Sequence, residues 1–83
     1  MLRVFVISPE AALYEGEATS VVAPAFDGEV GILTGHAPMM TLLGKGKLVV
    51  SGGAAPRAFS IEGGFMQVLN NEVRVVTEHG AAA

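Results

Sequence analysis

The chain has 83 residues, five basic and eight acidic side chains for a net charge of −3, no cysteine, and 51% apolar against 16% charged residues. This length allows one domain, and the lack of cysteine excludes disulfides and thiolate metal ligands and fits a reducing compartment. The few basic residues are scattered, so no cluster exists to neutralise phosphates, which argues against nucleic acid as a partner.

In chain order, residues 2–7 are rich in Val, Ile and Phe and form a strand that Ser8-Pro9 ends, because proline cannot donate to a sheet ladder. Residues 11–17 read as a short strand around Leu13 and Tyr14. Their Glu, Ala and Leu content is also compatible with a helix, but Gly16 and the β-branched Thr19, Val21 and Val22 that follow favour strand. Residues 21–26 continue extended, with Pro24 marking a bulge or an edge. Asp27-Gly28 is a tight-turn signal, glycine supplying positive φ, and residues 29–33 return from it as a strand.

Residues 34–38 form a bend, residues 39–43 are apolar, and Gly44-Lys45-Gly46 makes a further turn or bulge before a strand at 47–50. Residues 51–56 read as a flexible loop. Residues 57–62 alternate Ala58, Ser60 and Glu62 against Phe59 and Ile61; Gly63-Gly64 breaks the run, and 65–69 follows. Asn70-Asn71 suits a tight hairpin because asparagine tolerates the left-handed region. Residues 72–77 are the last strand, which gives a domain at 1–78 and a short frayed tail at 79–83.

The fold class is therefore all-β, a small flattened sandwich or barrel of about eight to ten short strands with turn chemistry between them. So small a domain buries only about 60–65% of the surface its unfolded chain exposes. With this apolar content some large side chains must lie outside, and an exposed apolar patch marks a contact site. No run approaches the ~20 apolar residues of a membrane-spanning helix, and Met1-Leu2-Arg3 leads into a strand rather than a signal peptide.

The residues carry little reactive chemistry. Ser8, Ser20, Ser51 and Ser60 lie in no nucleophile-elbow pattern, and His36 and His79 are far apart in sequence. Glu29 and His36 could approach across a bend, but two ligands are too few for a metal site. Lys45 between two glycines resembles the displayed lysine of lipoyl and biotinyl carrier domains, without their Asp-Lys-Ala or Met-Lys-Met neighbours; a lysine that solubilises a turn is the simpler reading. No strand, glycine loop and helix unit for phosphate is present. An interaction module remains, with Ala37-Pro38-Met39-Met40-Thr41-Leu42-Leu43 as an adaptable apolar contact segment of which alternation buries about half.

Several motifs, in order along nearly the whole chain, carry a resemblance. They are Val6-Ile7-Ser8-Pro9-Glu10, Leu13-Tyr14-Glu15-Gly16-Glu17-Ala18, Val22-Ala23-Pro24, Asp27-Gly28-Glu29-Val30-Gly31-Ile32-Leu33, Gly35-His36-Ala37-Pro38, Leu43-Gly44-Lys45-Gly46, Ile61-Glu62-Gly63-Gly64-Phe65-Met66-Gln67-Val68 and Asn71-Glu72-Val73. Together they resemble the epsilon subunit of F-type ATP synthases, whose mitochondrial counterpart is called delta.

The resemblance implies the N-terminal β-sandwich of that family, a non-catalytic part of the central stalk joining the gamma subunit to the membrane c-ring. No cofactor or metal is implied. It places the chain peripherally, through the complex, on the cytoplasmic face of a bacterial inner membrane. Carried onto matching positions, Gly28, Glu29, Val30 and Gly31 lie on the c-ring side, and His36, Met39, Met40, Thr41 and Leu42 toward gamma. The family's usual C-terminal helical hairpin has no counterpart in the sequence, so its inhibitory and ATP-binding roles are not carried over. The alternatives are a small carrier domain modified at Lys45 and a generic β-sandwich adaptor unrelated to ATP synthesis.

Overall fold

A computed structural model describes every residue except Ala54. Ten strands run in order: β1 (Leu2–Ile7), β2 (Ala12–Ala18), β3 (Ser20–Ala25), β4 (Gly28–Leu33), β5 (Met39–Leu42), β6 (Lys45–Ser51), β7 (Arg57–Glu62), β8 (Phe65–Leu69), β9 (Glu72–Val76) and β10 (His79–Ala82). Among the described residues there is no helix, hence none able to cross a membrane.

The strands form two five-stranded sheets, β2-β1-β9-β8-β5 and β10-β7-β6-β3-β4, packed as a sandwich. Pairing is antiparallel except between β1 and β9, which run parallel. Period-two alternation turns one face of each sheet inward. The first sheet contributes Leu2, Val4, Val6, Met66, Val68, Val73 and Val75, and the second Val21, Ala23, Ile32, Leu48, Val50, Phe59 and Ile61, all buried in one cluster. Tyr14 on β2 meets Phe59 on β7 edge to face, ring centroids 6.2 Å apart, which helps seal the flank where β2 lies over β10.

The uncertain segment 11–17 is strand: β2 pairs with β1 from Leu2↔Ala18 to Ile7↔Ala12, with an irregularity at Val6/Ile7 beside the Ser8 turn. Ser8 is buried, and its hydroxyl donates to the Ala11 carbonyl at 3.1 Å, a local structural contact. Pro24 sits in an interior strand, but the β3–β6 ladder stops at Val22↔Val49, before the proline would have to donate. The loop expected at 51–56 includes Ala54, which lies outside the described residues.

Two expectations are corrected. Residues 79–83 are not a frayed tail: His79–Ala82 is β10, paired with β7 from His79↔Glu62 to Ala82↔Phe59, and Ala83 N donates to Ala58 O. Thr77 holds the entry to this strand. It is buried, its N donates to Ile7 O at 2.9 Å, and its Oγ1 lies 2.8 Å from His79 O and 3.0 Å from Gly63 O, one donor shared between carbonyls. Nor is Gly44-Lys45-Gly46 the turn or bulge expected there. Leu43 bridges to Ala25, the chain passes from the first sheet to the second, and Lys45 opens β6 opposite Glu62.

Candidate docking edges

Each sheet has one terminal strand on the flank away from β2 and β10: β4 in the second sheet and β5 in the first. The bend 34–38 joins them. The two expected contact sets therefore lie on neighbouring edges of one flank, and His36 sits between them in the chain.

On β4, Gly28 follows the turn with φ 131°, a conformation a side chain would resist. Glu29 and Gly31 are exposed, and Val30 is half-buried against the core. Glu29 belongs to neither of the two ion pairs among the described residues, Arg3–Glu15 and Arg74–Glu72. On β5, alternation separates the set: Met40 and Leu42 point outward, 64% and 63% exposed, while Met39 and Thr41 are half-buried. His36 is half-buried beyond the far end of β4, where its Nδ1–H donates to Ala37 O at 2.7 Å.

The turn end of this flank is tied together by backbone bonds. Phe26 N donates to Leu42 O at 3.0 Å, Gly44 N to Pro24 O at 2.8 Å, and Leu43 N to Gly64 O at 2.9 Å. They bring Phe26, 66% exposed, beside Leu42, which faces Phe65 across the β5–β8 ladder. Phe26 and Phe65 were absent from the expected contact set. Phe65 was recoverable from sequence, since it alternates outward with Gln67 and Leu69 against buried Met66 and Val68. Phe26 was read as the end of an extended run, but β3 stops at Ala25 and Phe26 lies in the turn.

The outer face of the first sheet is graded. Its level nearest the turn end runs Leu42, Phe65, Val76, Ile7, Ala12 across five strands; the next runs Met40, Gln67, Arg74, Phe5, Glu15; the last holds Leu69, Glu72, Arg3 and Glu17. Arg74 and Arg3 lie over the Phe5 ring at 5.2 and 5.6 Å. Charge thus gathers toward the bend end and apolar surface toward the turn end.

Lys45 lines an open groove of about 570 Å³ with Lys47, Ser60, Glu62 and His79, set on paired strands rather than at a hairpin tip. That removes the geometry on which the carrier reading stood. Among the described residues no group of three or more His, Asp or Glu side chains is placed to hold a metal.

The family model for the ATP synthase delta/epsilon chain β-sandwich domain matches residues 1–83. An ATP synthase epsilon chain of Leptospira interrogans is 44% identical over 80 residues, 96% of this chain and 63% of that one. The epsilon chain of Caulobacter vibrioides is 39% identical over 82 residues, 99% of this chain and 95% of its own length. The chain thus spans under two thirds of the Leptospira relative and nearly all of the Caulobacter one. Among solved structures, a chain of the Euglena gracilis mitochondrial ATP synthase (OSCP/F1/c-ring) superposes with TM-score 0.89 at 23% identity, covering 98% of this chain and 52% of that one. A chain of the Tetrahymena thermophila mitochondrial ATP synthase central stalk and c-ring gives 0.81 at 15%, covering 96% and 65%. At such identities these two speak for the fold alone. Matched along its whole length by the family model, and built as two five-stranded sheets, the chain belongs to the ATP synthase delta/epsilon chain family and is its β-sandwich domain.

Proposed function

We propose that this chain is a non-catalytic central-stalk subunit of an F-type ATP synthase, joining the gamma subunit to the c-ring so that the three turn as one body. The observation that carries the reading is the flank formed by β4 and β5, where Phe26 in the turn before β4 and Met40 and Leu42 on β5 stand exposed in a chain of this family. A torque joint must be stiff, and ladder hydrogen bonds with interlocked inner faces supply stiffness. A joint that does not slip buries about 1,200–2,000 Å² or more, and a patch of large apolar side chains suits that. Glu29 would contribute only ~0–1 kcal/mol as an exposed ion pair, so shape and apolar contact dominate.

In this reading Gly28, Glu29, Val30 and Gly31 meet c-ring loops, and His36 with Met39, Met40, Thr41 and Leu42 faces gamma. The chain sits peripherally at the cytoplasmic face of a bacterial membrane. The test is co-purification with a gamma subunit. The wild-type chain is expected to bind and Met40→Glu to bind more weakly with its fold intact; absence of wild-type binding at micromolar concentration overturns the proposal.

A further inference from the structure

Asn70 and Asn71 form the two-residue loop between β8 and β9, with φ 51° and 61°, and Leu69 pairs with Glu72 across it. Two successive left-handed residues are the mark of a type I′ turn, whose second position suits glycine best. Asparagine there needs another reason, and its polar groups supply one. Its backbone carbonyl accepts from Arg3 N at 2.8 Å, and its side-chain Oδ1 accepts from Gly35 N at 2.7 Å. One residue thus joins the start of β1, the β8–β9 hairpin and the bend that carries the chain from β4 to β5.

The bend needs such a tie. His36 N donates to Leu33 O at 3.1 Å, and Gly35 has φ 85°, which fits the third residue of a type II turn. The Gly35 N–H is left facing away from that turn. Leu33, Thr34, Gly35, Ala37 and Pro38 are all exposed, and a Cβ on Gly35 would meet nothing within 4 Å. Among the described residues, Asn71 Oδ1 makes the one side-chain hydrogen bond that reaches the bend from outside it.

We propose that Asn71 is a positioning residue: it holds the Gly35–His36 bend in its docking shape, so that the gamma subunit meets an already ordered edge and binding costs less conformational entropy. This rests on the stalk reading above. Asn71→Gly removes the acceptor but relieves the backbone, whereas Asn71→Asp keeps an oxygen acceptor and tolerates the same φ.

The test measures three quantities on each full-length variant: thermal midpoint, hydrogen exchange at the Gly35 amide, and dissociation from gamma. Asn71→Gly is expected to keep or raise the midpoint, to speed Gly35 exchange about tenfold or more, and to dissociate from gamma about three- to tenfold faster. Asn71→Asp is expected to track wild type in all three. Unchanged Gly35 exchange in Asn71→Gly overturns the tie itself. Faster exchange with unchanged dissociation overturns the positioning role. If the wild-type chain fails to bind gamma while Asn71→Gly still speeds Gly35 exchange, the stalk reading and the positioning role both fall and the tie stands.

Discussion

Gly46 on β6 lies flat against the ring of Pro24 on β3: a Cβ built on Gly46 would stand 2.9 Å from Pro24 Cβ and 3.4 Å from its Cγ. The proline ends the ladder between these strands after Val22↔Val49, and the missing side chain lets the backbones remain close past that point, where Gly44 N reaches Pro24 O. Gly46→Ala forces the ring or the strand to move. The expected cost is about 1–3 kcal/mol, as for overpacking elsewhere. Urea unfolding checks it, with a lower midpoint and an unchanged slope.

Gly64 and Gly31 predict opposite outcomes for the same substitution. Gly64 has φ 98°, and an added Cβ would collide with the Val76 carbonyl oxygen, a backbone atom that cannot step aside. Gly64→Ala should cost more than about 4 kcal/mol and leave little folded protein. Gly31, on the exposed edge strand, has nothing within 4 Å of its Cβ position. Gly31→Ala should change stability by no more than about 0.5 kcal/mol, which leaves it free to report on docking. Circular dichroism melts of the two variants separate the cases.

Thr77→Val keeps the shape of a buried β-branched residue and deletes the donor shared by His79 O and Gly63 O. The loss should be about 1–2 kcal/mol. Faster amide exchange should appear first in β10, with β8 and β9 protected. A variant in which β10 exchanges as in wild type would show that Thr77 does not anchor the final strand.

The absence of native cysteine makes single-thiol cross-linking clean. Within the assembled complex, Glu29→Cys is expected to cross-link to c-ring loops and Met40→Cys to gamma. Met40 is the better probe on β5, because Met39 is half-buried against the core. Products swapped between the two positions, read on a gel, would reverse the proposed orientation of the flank.

Most of the architecture was legible because it rests on local signals. The run from Arg57 to Glu62 alternates, Gly28 and Asn70-Asn71 sit where the backbone has positive φ, and Pro9 follows the end of β1. The final strand was hidden. His79-Gly80-Ala81-Ala82 has no β-branched residue and no Phe, Tyr or Trp, and pairs because β7 offers a free edge and Thr77 fixes the approach. Gly80 has a reason that only packing reveals: a Cβ there would stand 2.8 Å from both Leu13 Cδ1 and Thr77 Cγ2. Gly44-Lys45-Gly46 misled because its two glycines suggest a turn or bulge, when Gly46 answers to Pro24. The split of Met39 and Thr41 from Met40 and Leu42 followed from strand alternation, but which pair faced out depended on the partner strand's register.

The first strand made is bonded along its length to the last strand of its own sheet, Arg3 level with Glu72 and Ile7 level with Val76. During synthesis β1 can pair with β2 early, but its other side stays open until β9 has been made. Closure across so long a loop is slow compared with hairpin formation. Until β9 arrives, the backbone groups along that side of β1 have no strand to pair with, and the first sheet takes its final order only once β9 has slotted in between β1 and β8.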